Sequence, residues 1–231
     1  MVALFVVATI IVFLSIDYFV QRAAKRKAAL APAARVSTKP RFIIPKGYFF
    51  GRGHTWVELL PDGLTRVGLD DFVQKILGPV SGVELIPANT VVQKGDKLFT
   101  LRQGGKEVSF GAPISGRVVA INDDLAHSPG VVRQEPYKGG WVLMIEPTNL
   151  AADIKQLSIG NEAALWLKEE IKRFRNFITA QTEALASSGA TAPAGVTLMD
   201  GGTPVNDVME HSSQEIWRRF ETDFLGSGNG K

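Results

Sequence analysis

Short apolar runs separated by turn residues dominate the middle of the chain, from Phe42 to about Pro147. The run Trp56–Leu60 (WVELL) is followed by PDG and by Leu64–Gly68 (LTRVG), which predicts a strand, a tight turn and a second strand. Only Asp70–Leu77 has helical spacing, and a Gly-Pro pair ends it. The later segments VELIP, VVQKGDKLFTLRQ, KEVSFGAPISG, RVVAIN and GGWVLMIEP again read as strands and turns. We therefore predict a mainly β domain over residues 42–150.

The N-terminus is an apolar run, Met1–Val20, in which Asp17 is the one charged residue. About 20 apolar residues at ~1.5 Å rise per residue span a hydrocarbon core of ~30 Å. A cleaved signal peptide carries positive charge before its apolar run, whereas here Arg22 and Lys25–Lys27 follow it. We therefore predict an uncleaved transmembrane anchor over residues 1–21. The alternatives are a signal peptide and a buried core helix of a soluble domain.

Basic residues are concentrated near this anchor. Residues 1–52 hold nine Lys or Arg and one acidic residue, whereas the remainder holds 17 basic and 22 acidic residues. Because basic residues that flank a span stay in the cytoplasm, we expect a single-pass protein of the inner (cytoplasmic) membrane whose C-terminal domain faces the cytoplasm. The cluster also favours anionic lipid headgroups. No nucleic-acid-binding motif accompanies it, so nucleic acid is not a predicted partner. Residues 22–41 read as a basic Ala/Pro linker.

The side chains of common catalytic and metal sites are sparse. The chain has no cysteine, and its histidines, His54, His127 and His211, are far apart, so we predict no metal site and no cysteine nucleophile. Nucleotide-binding glycine motifs are absent, and Ser115 is not part of a GxSxG elbow. Asp123-Asp124 read as a turn or helix N-cap rather than as paired catalytic carboxylates. The prediction is that the protein is not an enzyme and has no small-molecule substrate of its own.

Four stretches, in the same order and spacing, resemble the H-protein of the glycine cleavage system. They are IPKGYFFGRGHTWVEL (44–59), VGLDDFVQKILGPVSGVELIP (67–87), APISGRVVAIND (112–123) and PYKGGWVLMIEPTNL (136–150). The resemblance implies a lipoyl/H-protein-like barrel-sandwich hybrid, which consists of two small sheets with pseudo-twofold symmetry and a few short helices. We interpret His54 and Trp56, in the first stretch, as a packing pair at a strand edge rather than as catalytic residues.

The resemblance also implies a lipoate-bearing lysine at a hairpin tip, eight residues before the proline of a Pro-x-Ser-Gly motif. That proline is Pro113 here, so Gly105 occupies the lysine position, Lys106 is one residue late, and Arg102 stands where the family has an acid. The pair Gly104-Gly105 predicts a tight turn, because glycine readily adopts positive φ. A shift of one residue along a strand also turns a side chain to the opposite face.

We therefore predict no cofactor and interpret Lys106 as a solvated lysine. The alternative is a slipped hairpin with lipoate on Lys106. No Met-Lys-Met-like context supports biotin.

A helical extension is predicted over residues 151–186. Its apolar residues, Leu167, Ile171, Phe174 and Ile178, form one stripe at helical spacing. The extension is longer than a small barrel needs to cover itself. Docking on a partner and packing on its own domain both remain open.

The C-terminal region combines a linker and a second amphipathic helix. Residues 187–206 are rich in Gly, Ala, Ser, Thr and Pro, which predicts a flexible linker, and residues 226–231 read as a frayed tail. Between them, residues 207–225 predict a helix with an apolar face formed by Ile216, Trp217, Phe220 and Phe224. We predict that this face binds a protein partner. Membrane-surface binding is the alternative, which the mixed charge of the flanking residues disfavours.

Together these features predict a non-catalytic, membrane-anchored, H-protein-like binding or scaffold subunit of a membrane-associated complex. The main alternative is a lipoyl carrier modified at Lys106. An efflux-type adaptor is disfavoured because such proteins insert long helical hairpins between the lipoyl halves, whereas Gly104-Gly105 alone joins them here.

Overall fold

A computed structural model describes residues 42–187, 199–200, 203–204 and 206–226. The predicted transmembrane anchor (1–21), the basic linker (22–41), most of the predicted flexible linker and the last five residues lie outside the described part. Within the described ranges, no helix is both long enough and apolar enough to cross a bilayer.

Antiparallel strands make up most of the domain. The strands are β1 (Tyr48–Phe50), β2 (Thr55–Leu59), β3 (Thr65–Leu69), β4 (Gly82–Leu85), β5 (Val91–Val92), β6 (Lys97–Gln103), β7 (Lys106–Gly111), β8 (Gly116–Ile121), β9 (Trp141–Pro147), β10 (Ser158–Ile159), β11 (Met199–Asp200) and β12 (Thr203–Pro204). They form a seven-stranded sheet of order β10-β1-β2-β3-β9-β8-β5, a three-stranded sheet of order β4-β6-β7 and the small pair β11-β12. The predicted mainly β class is confirmed.

Short helices decorate the sheets, and one long helix follows them. The helices are α1 (Asp71–Leu77), α2 (Asp124–His127), α3 (Val131–Gln134), α4 (Leu150–Asp153), α5 (Gly160–Ser187) and α6 (Gln214–Phe220), with a 3₁₀ turn at Ile154–Gln156 and a π turn at Glu221–Leu225.

The first hairpin and the first helix form as predicted. Strand β2 pairs with β3 from Thr55↔Leu69 to Leu59↔Thr65, and the turn between them contains Gly63 at φ 84°. The side chain of Asp70 then caps α1 by accepting a hydrogen bond from the Val73 N–H at 2.9 Å.

The long helix α5 packs on its own domain, which decides between the two alternatives left open by the sequence. On its apolar stripe Leu167, Phe174 and Ile178 are buried, and Ile171 is partly buried against the core. The Phe174 ring meets Phe72 of α1 edge-on, with ring centroids 5.6 Å apart. The helix begins at Gly160, later than predicted, because α4, the 3₁₀ turn and β10 occupy the preceding residues.

The C-terminal segment is also folded onto the domain. We call residues 206–226 the C-terminal cap. Its helix α6 is shorter than the predicted 207–225, because Asp207 adopts φ 65° and the side chain of Ser213 caps a helix that begins only at Gln214. Gly226, at φ 64°, ends the π turn that follows.

Candidate functional site

A two-residue hairpin stands at the position where the sequence resemblance implies a lipoyl lysine. Gln103 at the end of β6 pairs with Lys106 at the start of β7, so Gly104 and Gly105 alone form the turn. Both glycines have positive φ, 53° and 82°, as the two central positions of a type I′ turn require. The predicted Gly-Gly turn is confirmed, and the slipped hairpin that would place Lys106 at the tip is not observed.

The amine of Lys106 does not project from the hairpin. Its Nζ donates hydrogen bonds to the carbonyl oxygens of Glu210 and Ser212, at 2.5 and 3.1 Å, and lies 3.5 Å from that of Met209. It also lies over the Trp217 ring, 5.0 Å from the centroid. The predicted solvated lysine is therefore a half-buried one, held by the C-terminal cap.

Burial lowers the pKa of Lys106, and the negative charge of Glu210 opposes this effect. The hydrogen-bond acceptors around the ammonium group are backbone carbonyls, which stabilise its charged form less than a carboxylate in direct contact would.

Backbone hydrogen bonds fix the cap against the end of α1. The Asp207 N–H donates to the Lys75 carbonyl at 2.7 Å, and the Met209 N–H donates to the Ile76 carbonyl at 2.9 Å. The Trp217 indole N–H donates to the Met209 carbonyl at 2.8 Å, which holds the turn of the cap against its own helix.

The aromatic face of the cap is covered by the same chain. Trp217, Phe220 and Phe224, three of the four predicted partner-binding residues, are each at most 3% exposed, and Ile216 is partly buried. Phe220 and Phe224 stack on each other and meet Phe174 of α5 edge-on. The apolar face exists as predicted, but in this state its occupant is the chain's own domain, so contact with a separate partner stays a prediction.

Arg102 occupies the position near the hairpin at which the family pattern has an acid. Its guanidinium group contacts Glu107 and Glu84, each at 2.8 Å, and all three side chains are about half exposed. Pairs this exposed contribute little stability. The two carboxylates do, however, offset the positive charge of Arg102, which stands where the family pattern has an acid.

His54 differs from its predicted place at a strand edge. It is fully buried with φ 60°; Nδ1 lies 2.7 Å from Asp70 Oδ2, and Nε2 lies 3.5 Å from Glu170 Oε1. Trp56 is also fully buried, on a strand flanked by β1 and β3, and its indole N–H donates to the Leu69 carbonyl. The expectation of an edge pair is therefore wrong, because the strand of Trp56 is paired on both sides and His54 packs against Trp166 of α5. No local sequence signal identifies Glu170 as a partner of His54, because it lies more than 100 residues further along the chain.

Burial alone lowers the pKa of His54. The charges of Asp70 and Glu170 and the hydrogen bond between Asp70 and the ring outweigh this effect and raise the pKa to about 9. A buried, charged imidazole between two carboxylates is an ion-pair centre of the core. Both of its ring nitrogen atoms face carboxylates.

The other candidate residues are not brought together. His127 is exposed at the end of α2, and Asp123 stands at the start of that helix. Ser115 accepts a hydrogen bond from the Lys94 N–H and donates its own N–H to Asp153. Among the described residues, no group of three or more His, Asp or Glu side chains is arranged to hold a metal ion.

Two antiparallel sheets that present a two-residue hairpin define a domain of the lipoyl/H-protein-like class. The family model for the glycine cleavage H-protein matches residues 48–170, slightly more than half of the chain, and the protein belongs to this family. The match includes the hairpin and ends within α5. The C-terminal cap lies beyond it.

Two curated relatives agree with this assignment, and the chain is also similar to one solved structure. The chain is 37% identical over 125 residues to a probable glycine cleavage system H protein of Pyrococcus furiosus, covering 54% of this chain and 92% of that protein. It is 32% identical over 132 residues to glycine cleavage system H protein 2 of Aquifex aeolicus, covering 57% and 82%. A crystal structure of a glycine cleavage system H protein from Mycobacterium marinum is 25% identical, with a TM-score of 0.49, and the match covers 54% of this chain and 99% of that one.

Proposed function

We propose that this protein is a non-catalytic, H-protein-like binding subunit that acts without lipoate in a membrane-associated complex. One observation carries the proposal: glycine occupies the hairpin tip, and the adjacent Lys106 amine is bonded to carbonyls of the C-terminal cap. Attachment to a carrier lysine requires an amine that projects from an exposed turn, so that a ligase can reach it. Lys106 does not meet that requirement in this arrangement.

A binding role rather than catalysis is supported by the chemistry of the domain. Both ring nitrogen atoms of the buried His54 face carboxylates, so the imidazole takes part in ion pairs of the core. The conclusion is that the chain acts through contacts with protein partners.

The membrane assignment rests on the sequence. Residues 1–21 have the length and apolarity of a single span, and the basic residues that follow favour a cytoplasmic domain. In this proposal the anchor holds the H-protein-like domain at the inner face of the cytoplasmic membrane, close to the other subunits of its complex.

A second function, that of a lipoyl carrier, is favoured by membership in the H-protein family and by a lysine next to the hairpin tip. For this function the Lys106 amine must leave the cap carbonyls before a ligase can modify it. The lipoyl arm would then start from the first residue of β7 rather than from the turn.

Mass spectrometry of the protein isolated from its own membranes separates the two functions. Peptides that cover Leu101–Arg117 are expected to carry no addition on Lys106. The matched test incubates the purified full chain with lipoate, ATP and a lipoyl ligase, with Lys106→Ala as the blank and a lipoylated relative as the positive control. A lipoyl mass on Lys106 of the native protein would overturn the proposed function in favour of the carrier.

A further inference from the structure

We propose that the C-terminal cap is a releasable latch on the hairpin, and that closure of the latch and acylation of Lys106 Nζ exclude each other. The inference goes beyond the proposed function and does not depend on it, since it concerns access to Lys106 whatever group a cell attaches there. Three features of the contact between cap and hairpin carry it.

The first feature is how the cap uses the charged amine. Carbonyl oxygens of Glu210 and Ser212 accept from Nζ, a third carbonyl lies nearby, and the Trp217 ring covers the group. All these acceptors come from one turn of the cap. An ammonium group has three N–H donors, which suits several acceptors at once. The charged amine of Lys106 thus holds the cap in its closed position.

The second feature follows from the chemistry of an acylated amine. When the neutral amine attacks an activated acyl carbonyl, the nitrogen loses a proton, the new C–N bond forms, and the activating group leaves with the electron pair of the bond that breaks. The amide nitrogen that results is uncharged and keeps one N–H. It cannot serve two carbonyls, and the acyl group needs space that the cap occupies. An acylated Lys106 is therefore incompatible with the closed cap.

The third feature lowers the free energy that is needed to open the cap. Gln103, directly across the hairpin from Lys106, is 6% exposed, and neither its amide oxygen nor its amide nitrogen has a hydrogen-bond partner among the residues that the structure describes. Its Nε2 lies close to Gly78 at the end of α1, where the cap residues Asp207 and Glu210 also pack. An unpaired buried polar group is unfavourable, and exposure to water lets it form hydrogen bonds. The interface between the hairpin and the cap therefore contains a buried side chain, that of Gln103, whose hydration favours opening of the cap.

Reciprocity follows from these features. If acylation of Lys106 favours the open cap by some factor, then any partner or substitution that opens the cap favours acylation by the same factor. A partner that binds the aromatic face of the cap would thus expose the hairpin, and modification of the hairpin would expose the aromatic face.

Acylation rates test the latch directly. The full-length protein is treated with limiting sulfosuccinimidyl acetate, and peptide mass spectrometry follows each lysine. Lys97 is exposed on β6 of the same hairpin and is the internal reference. We expect Lys106 to react at least ~10-fold more slowly than Lys97, because it reacts only through the open state. Its lowered pKa alone would speed the reaction, so a slow rate reports that the cap blocks the amine.

Two variants of α6 give the matched comparison. Trp217→Ala removes the buried ring over Nζ and is expected to raise the Lys106 rate at least ~5-fold relative to Lys97. Arg218→Ala changes the adjacent exposed side chain and is expected to leave the ratio unchanged. Equal rates at Lys106 and Lys97 in the unsubstituted protein would overturn the latch, as would a Lys106 rate that neither variant changes.

A second pair of variants avoids the core altogether. Lys106→Gln mimics the uncharged amide, whereas Lys106→Arg keeps a charged donor. Hydrogen exchange of the Asp207 and Met209 amides, which are bonded to α1, is expected to accelerate at least ~5-fold in the first variant and much less in the second. Unchanged exchange in Lys106→Gln would contradict the latch. Lipoate found on native Lys106 would contradict the proposed function and leave the latch standing.

Discussion

His54 Nδ1 lies 2.7 Å from Asp70 Oδ2, with the imidazole fully buried and the carboxylate almost so. The other oxygen of Asp70 accepts the Val73 N–H and caps α1. One carboxylate therefore joins the loop before β2 to the first turn of the helix. Glu170 approaches the other side of the ring and ties α5 to the same point.

This ion-pair centre predicts a stability that falls with rising pH. Because the folded-state pKa of His54 is about 9 and its unperturbed value is 6.5, the stabilisation is complete below the lower value and lost as pH rises through the higher one. The free energy of unfolding should drop by about 3 kcal/mol across this window. Urea unfolding at about pH 6 and about pH 9.5 measures the drop. His54→Gln should largely abolish it, whereas His127→Gln, at an exposed position, should not. An equal drop in the His54 variant would contradict the assignment.

Gly68 predicts a steric limit in the main sheet. A Cβ at this position would lie 2.4 Å from Trp56 Cζ2, and the Trp56 ring is fixed by its own hydrogen bond to Leu69. We expect Gly68→Ala to lower the free energy of unfolding by about 1–3 kcal/mol through overpacking. Gly82→Ala is the control, because a Cβ there meets only Arg102 at 3.9 Å. Similar midpoints of chemical unfolding for the two variants would show that the ring moves aside without cost.

A lysine introduced at the hairpin tip is expected to be lipoylated. A Cβ at Gly105 meets nothing within 4 Å, so Gly105→Lys should project an amine outside the cap. A lipoyl ligase with lipoate and ATP should modify the introduced side chain, as seen by peptide mass. The positive φ of 82° should cost about 1–2 kcal/mol of stability.

Gly63→Lys is the control for Gly105→Lys. It has a similar φ of 84° and equally open surroundings, but it lies in the β2–β3 turn. Gly63→Lys should lose about as much stability through its positive φ and should remain unmodified. A Gly105 variant that the ligase ignores would mean that features of the hairpin other than the missing lysine prevent recognition.

The N-terminal sequence predicts behaviour in membrane fractions. The full chain should remain in the pellet after alkaline extraction of membranes, because an apolar stretch of about 20 residues spans the bilayer. A chain without residues 1–21 should appear in the supernatant. If alkali alone extracted the full chain, the protein would be attached to the membrane peripherally and not by a transmembrane anchor.

Local structure was well predicted wherever neighbouring residues determine it. Asp70 is followed by helically spaced apolar residues and by a glycine, and these are enough to define α1. Gly104-Gly105 between two alternating runs are enough to define a type I′ turn, because few other residues accept two successive positive φ angles. The departure from the lipoyl pattern could be found in the same way, by counting back from Pro113.

Contacts between distant segments were not predicted. The apolar face of Trp217 and Phe220 is evident in the sequence, but amphipathicity does not identify the surface that covers it. The carbonyls around Lys106 come from residues more than 100 positions away. Because these hydrogen-bond acceptors are backbone atoms, no pattern of side chains in the sequence indicates them. The burial of His54 was not predicted, because its partner Glu170 lies on the distant helix α5.

Glu221 accepts the Ser109 N–H at 2.9 Å, on the outer side of β7, the last strand of the three-stranded sheet. An edge strand with free N–H groups is a template on which another chain can add a strand. At Ser109 the cap therefore occupies part of the edge to which a strand of another copy could add. For copies tethered to one membrane, as proposed, motion is confined to two dimensions and collisions are frequent. Release of the cap would then be a route to self-assembly as well as to modification.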